Sequence, residues 1–291
     1  MKNPLVSVVI PTYKREKEIV SRAVKSVLNQ TYSKLELIVV DDSPNDYRGR
    51  KDVEELLEGL NDKRIRYIKH PENKGANISR NTGISNANGD YIAFLDDDDE
   101  WLPQKIQKQL EKFVDSRIGL VYCPYYVLNK GEKHLRRKIK SGNVFIDLLN
   151  ENFIGSTSCI MVKKKYILEI GLFDENLPAS QDYDLYLRLS KKYLIDAVDE
   201  PLLLYYEHDG ERISGDPYKK LKARKYIYKK YKEEIKRYPR IESNKNLLLA
   251  QSYSEIKKNK LKWIHLFNAI YIYPLPTKRL LKTTLKIMLN K

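Results

Sequence analysis

The segment Tyr91–Pro103, YIAFLDDDDEWLP, drives an apolar run directly into four consecutive aspartates, Asp96 to Asp99. Adjacent carboxylates repel one another and are costly to desolvate without a partner, so a half-buried cluster of this kind requires a cation. An all-oxygen donor set suits Mg²⁺ or Mn²⁺. If the strand ends near Leu95, alternation places Asp96 and Asp98 on one side and Asp97 and Asp99 on the other. Two carboxylates facing one metal, with a diphosphate completing its shell, is one reading. A solvated acidic turn capping a helix that begins at Pro103 is the other. An EF-hand loop is excluded by the missing glycine and terminal glutamate, and the absence of GxGxxG and GxxxxGK[ST] removes the usual phosphate cradles. GxSxG and HExxH are absent too, which takes away the main support for hydrolase and zincin readings.

The elements that must position these residues follow from the apolar periodicity. LVSVVI, LELIVV, IRYIKH and DYIAFL read as strands, and the segments between them carry helical spacing, with Val20, Ala23, Val24, Val27 and Leu28 on one stripe. Strands alternating with helices predict βαβ units and a mainly parallel sheet, with LVSVVI covered on both faces. Such sheets bind ligands beyond the carboxyl ends of their strands. PTYKRE, DDSPND and DDDDEW each follow a predicted strand, so all three fall at that edge. Further along, GLVYC, SCIMV and PLLLYY are expected strands and QDYDLYLRLSKKY an expected helix. Helical patterns dominate from Pro217, broken at Pro239, Pro274 and Pro276.

The chain has 291 residues and a net charge of +15, but the charge is unevenly placed. Residues 217–291 hold 21 Lys plus Arg against 4 Glu and no Asp, a net of +17, which leaves −2 for residues 1–216. Two regions are therefore expected, a near-neutral one containing the aspartates and a Lys- and Tyr-rich one after residue 216. Cys123 and Cys159 lack metal-site spacing, which predicts reduced thiols in a cytosolic protein. The N-terminal apolar run is too short for a signal peptide, and no segment reaches the roughly 20 apolar residues of a membrane span.

VSVVIPTYKRE, LELIVVDDSPND, NKGANISRNTGISNANGDYIAFLDDDDEWLP and GLFDENLPASQDYDLYLRLS, in this order, resemble the family 2 glycosyltransferases of the GT-A fold over Leu5–Asp209. The resemblance implies an α/β fold, a Rossmann-like mixed sheet flanked by helices, with a helical basic C-terminal region. It implies a catalytic domain over 1–216, its donor half at about 1–100 and acceptor half at about 101–216, followed by the region 217–291. It further implies that Pro11, Thr12 and Tyr13 line the base and ribose of a nucleotide sugar, with UDP the expected nucleotide, and that Asp42 holds the base or ribose. Arg80 is expected on the diphosphate or base, Asp96 and Asp97 near the donor sugar and ribose, and Asp98 on Mn²⁺ or Mg²⁺. Asp99 is expected to be only a cap. Asp182 matches the base of inverting members, although the Glu that often precedes it is Gln181 here. His208 resembles a histidine that touches the metal or diphosphate, and Trp101 is expected either to wall an acceptor site or to pack.

No QxxRW follows Asp182, so transfer of a single sugar to a saccharide or lipid-linked acceptor is favoured over polymer extrusion. In TKRLLKTTLKIMLNK, Leu281, Leu285 and Met288 follow helical spacing beside Lys278, Lys282 and Lys286. Such a helix fits either an anionic membrane surface on the cytoplasmic side or packing against protein, while no nucleic-acid module is present. A catalytically silent GT-A binding module is the competing class.

Overall fold

The run VSVVIPT forms β1 (Val6–Thr12), buried at every position but Pro11, and LELIVVD forms β2 (Leu35–Asp41), buried throughout. Their lack of polar alternation thus reflects cover on both faces. The computed structural model describes residues 3–207, 215–274 and 284–285. Among them, α1 (Lys17–Leu28) joins β1 to β2, followed by α2 (Gly49–Gly59), β3 (Ile65–Lys69), α3 (Ala76–Asn86), β4 (Tyr91–Phe94) and β5 (Glu100–Trp101). Next come α4 (Lys105–Leu110), β6 (Ile118–Tyr122), β7 (Tyr125–Asn129), β8 (Glu132–Arg136) and α5 (Phe145–Asn150). A short 3₁₀ turn at Thr157–Cys159 leads to β9 (Ile160–Lys163), α6 (Lys164–Glu169), α7 (Gln181–Lys192), β10 (Leu194–Ala197) and β11 (Leu203–Tyr206). The last named elements among the described residues are α8 (Pro217–Lys230), α9 (Lys232–Lys236), α10 (Pro239–Glu255) and α11 (Asn259–Ile272).

Contacts divide the chain into two compact units. The first, Met1–Phe145 with Phe153–Asp174 and Leu185–Asp209, is built on a seven-stranded sheet in the order β10-β6-β9-β4-β1-β2-β3. Strands β1 to β4 are mutually parallel, whereas β9 runs antiparallel between β4 and β6. Helix α1 seats Val20, Ala23, Val24 and Val27 of the expected stripe in the core and leaves its fifth member, Leu28, half-buried. Helix α3 approaches β1 so closely that a Cβ on Gly83 would lie 2.3 Å from Val9 Cγ1, which only glycine avoids. A second sheet, β5-β11-β7-β8, was not anticipated, because β5 is two residues long and carries no period.

The second unit comprises Gly210–Lys291 with two earlier segments, Ile146–Asn152 and Glu175–Asp184. Asp216 opens it by accepting the amides of Tyr218 and Lys219, and Pro217 occupies the first turn, a favourable start for α8. Pro239 likewise begins α10. Leu247 and Ala250 of α10 pack with Leu266 and Ala269 of α11. Lys245 Nζ donates to the Tyr183 hydroxyl at 2.8 Å, and that hydroxyl donates to Leu148 O at 2.5 Å.

Candidate active site

The acidic turn lies where β4 ends. Leu95 N–H still donates to Val9 O across the sheet, but Asp99 N–H then donates to Asp96 O at 3.1 Å and closes a turn. Strand alternation therefore stops before the aspartates. Asp97 and Asp98, not Asp96 and Asp98, share a partner: Arg15 Nε donates to Asp97 Oδ1 at 3.0 Å and its Nη2 to Asp98 Oδ2 at 3.2 Å. Asp97 also accepts the Thr12 hydroxyl at 2.7 Å. Asp96 accepts Arg80 Nη2 at 2.6 Å, with Ser156 Oγ at 3.2 Å and Thr157 Oγ1 at 3.3 Å, while its own amide donates to Ser158 Oγ at 3.0 Å. Arg22 donates to the Asp98 carbonyl at 2.6 Å and lies 3.8 Å over the Tyr206 ring.

Burial pushes the Asp97 carboxyl above its ordinary range, although Arg15 and Thr12 pull it down. Burial also raises Asp99 strongly, and the charges of Asp96 and Asp98 raise it further. Asp99 does not take the cap role expected of it. Helix α4 begins at Lys105 behind Gln104 with no side-chain cap, and Asp99 is fully buried rather than a solvated cap. Trp101 is buried as well: its indole N–H donates to Ser158 O at 2.9 Å, and Lys105 Nζ sits 3.9 Å above its ring. It packs and walls no open site. Burial lowers the Lys105 ammonium to about 8.

A second carboxylate pair, Asp41 and Asp42, stands at the end of β2. Asp42 accepts His70 Nδ1 at 2.7 Å and the amides of Lys74 at 2.9 Å and Gly75 at 2.7 Å. Gly75, at φ 93°, is the N-cap of α3, a backbone region that glycine alone enters cheaply. Asp42 therefore ties the end of β2 to the start of the helix that carries Arg80. Asp41 accepts the Ser43 amide at 2.8 Å and the Tyr67 hydroxyl at 2.5 Å.

Of the other expected residues, Pro11 is half-buried and Tyr13 is exposed beyond β1. Arg80 is buried rather than a surface arginine, and its Nε and Nη1 have no hydrogen-bond partner. Asp182 lies in the first turn of α7, in the second unit, where Asn152 Nδ2 donates to it at 3.3 Å. His208 lies outside the described residues, as does the tail stripe apart from Leu285. Arg15, Arg22 and the hydroxyls of Ser156 and Thr157 were not singled out from sequence. The signal for Arg15 was the basic PTYKRE and that for the hydroxyls was GSTSC, each next to a predicted strand, whereas Arg22 lies within α1 with no such signal.

Among the described residues, no three His, Cys, Asp or Glu side chains converge as a metal cage. The turn offers a few hard carboxylates, a set that fits a divalent cation sharing its shell with diphosphate oxygens. The spare N–H groups of buried Arg80 suit the same anion, since a guanidinium grips phosphate in a fork.

The model of Glycosyl transferase family 2 matches residues 7–171. WcaA of Escherichia coli, assigned to colanic acid biosynthesis, is 31% identical over 275 residues, covering 90% of this chain and 91% of its own. Among solved structures, Staphylococcus aureus TarS 1–349 in complex with UDP-GlcNAc superposes with a TM-score of 0.62 at 19% identity, covering 98% of this chain and 88% of that one. Mannosyltransferase PcManGT of Pyrobaculum calidifontis, in complex with GDP-Man and Mn²⁺, gives 0.59 at 20% identity over 98% of this chain and 81% of its own. The mixed sheet is thus that of GT-A glycosyltransferases.

Proposed function

Because the chain belongs to glycosyl transferase family 2 and is a glycosyltransferase, we propose that it moves one sugar, with inversion, from a nucleotide sugar to a saccharide or lipid-linked acceptor. The expected donor is a UDP-sugar, the setting is polysaccharide assembly, and the reaction depends on a divalent cation. The observation that carries this reading is the acidic turn at the carboxyl edge of the sheet, whose Asp97 and Asp98 are held by Arg15, a cation that another cation can replace. Support for the donor class comes from the fold shared with TarS and PcManGT, whose structures contain UDP-GlcNAc and GDP-Man with Mn²⁺. Support for polysaccharide assembly comes from WcaA.

In this reading Pro11, Thr12, Tyr13 and Asp97 line the nucleoside, Arg80 and Asp96 face the diphosphate and donor sugar, and Asp98 is the ligand that holds the cation. Asp42 contributes through the rim it fixes. When bound, the cation supplies charge neutralisation to the departing diphosphate. Asp182 takes the proton from the acceptor hydroxyl as that oxygen bonds to the anomeric carbon. The bond from this carbon to the nucleoside diphosphate breaks with its electron pair, and the Arg80 guanidinium stabilises the charge that develops on phosphate oxygen. We place the enzyme at the cytoplasmic face of a membrane, where a lipid-linked acceptor would be presented.

The test is a panel of nucleotide sugars screened for binding and for nucleoside diphosphate release with Mn²⁺, using wild type and Asp182→Asn. We expect one sugar nucleotide to bind both proteins and only wild type to turn over. Undiminished turnover by Asp182→Asn would remove the assigned base.

A further inference from the structure

Helix α11 is apolar nearly all round, and only one of its faces is spent on the fold. Leu266 and Ala269 meet α10, the His265 ring stacks on Tyr253 at 5.3 Å, and Ser243 Oγ donates to Ala269 O at 2.8 Å. The opposite face carries Trp263, Phe267 and Tyr271 at i, i+4 and i+8, flanked by Ile264 and Ile270. These side chains are open to solvent, Phe267 at 65% and Tyr271 at 89% exposure. A soluble helix usually shows a polar outer face, and one that is apolar on both sides normally has a second apolar partner.

Charge narrows what that partner is. Lys257, Lys258 and Lys260 stand exposed at the start of α11, and after Glu255 the chain has nine Lys plus Arg and no acid. A second copy of this face would bring like charges together. An anionic bilayer would meet both properties: aromatic rings favour the headgroup boundary, and each nearby lysine adds about 1 kcal/mol on an anionic surface. No helix among the described residues is long and apolar enough to cross a membrane, so the geometry is that of a helix lying in the interface plane.

We propose that α11 docks the protein on an anionic phospholipid bilayer, with Trp263, Phe267 and Tyr271 entering the headgroup region and the neighbouring lysines pairing with lipid charge. This surface differs from the terminal stripe read from sequence. It rests on the proposed lipid-linked acceptor only for its purpose, since membrane binding is measured without donor.

The two tryptophans make the test selective, because Trp101 is 2% exposed and Trp263 36%. Full-length protein is floated with phosphatidylcholine vesicles with and without one-third phosphatidylglycerol, and tryptophan emission is followed with a brominated-lipid quencher. Expected are co-flotation and blue-shifted, quenched emission on anionic vesicles only. Phe267→Ser with Tyr271→Ser should weaken binding about tenfold or more, since it removes exposed apolar area and leaves the buried face intact. Ile264→Ser with Ile270→Ser provides a second pair, and circular dichroism checks that each variant is folded. Unchanged flotation of both folded pairs would overturn the proposal by assigning any binding elsewhere. So would Trp263 emission indifferent to vesicles, or wild-type dimers that the substitutions split, which would make a second copy the occupant.

Discussion

The α/β unit gathers carboxylates in two places and closes them with different nearest donors. Along β2 and just after it, Glu36, Asp41 and Asp42 are met by donors fixed in the framework: the Ser7 hydroxyl, the Asn88 amide, the Ser43 amide, the Tyr67 hydroxyl, His70, and the amides of Lys74 and Gly75. In the acidic turn, Asp96, Asp97 and Asp98 are met by arginine side chains, Arg80 and Arg15. Burial alone would raise Glu36, but hydrogen bonds from Ser7 and Asn88 outweigh it and bring the carboxyl below its usual range. Burial leaves Asp97 raised in spite of its arginine. On the proposed reading, carboxylates closed by backbone donors serve the framework, whereas those closed by a flexible cation can exchange it.

Four substitutions press on this contrast, in descending size. Asp98→Asn should lower kcat/KM by about 10²-fold or more, a loss of about 2.7 kcal/mol of transition-state stabilisation, with little change in melting temperature. Loss of folding instead would place Asp98 in the framework. Asp42→Ala should do the reverse, costing about 3 kcal/mol in urea unfolding because it strands two amides and a histidine nitrogen. Arg15→Gln removes a competing cation. Mn²⁺ binding without donor, read by paramagnetic resonance, should tighten about threefold, as expected for a partly exposed ion pair worth under about 1 kcal/mol. Weaker binding would make Arg15 a support rather than a competitor. Glu36→Gln gives the smallest effect. A depressed folded pKa stabilises above the unfolded value of about 4.3, and that contribution fades as pH falls through the folded value. The acid limb of the stability curve should therefore be shallower in the variant below about pH 4.3.

The strands of the first half and α7 were legible because burial on both faces leaves an unbroken apolar run and burial of one helical stripe leaves a local period. The direction of β9 was not, since IMVK reads alike in either sense. Nor was the recruitment of Ile146–Asn152 and Glu175–Asp184 into the second unit, which depends on contacts such as Lys245 with Tyr183 and Asn244 with Asn150 that have no local signature. At the site, the aspartates were visible as residue types at a strand end, and Arg80 through the family resemblance of ISRNTG. Their pairing was not, because alternation fails once the chain turns at Asp96, and Arg15 reaches Asp97 from 82 residues away. The burial of Asp99 was equally hidden, because polarity and position argued for the surface, whereas packing was one of the two outcomes expected of Trp101.

The reversed strand β9 also sets a schedule. Because it runs against its neighbours, its leading residues arrive at the rim where β4 ends, and Ser156, Thr157 and Ser158 reach Asp96 from 60, 61 and 62 positions later in the chain. A ribosome adding about 5–20 residues per second makes those hydroxyls roughly 3–12 s after the aspartate they hold. During synthesis the acidic turn therefore waits for its downstream wall, and the rim is complete only after the strand that closes it has emerged.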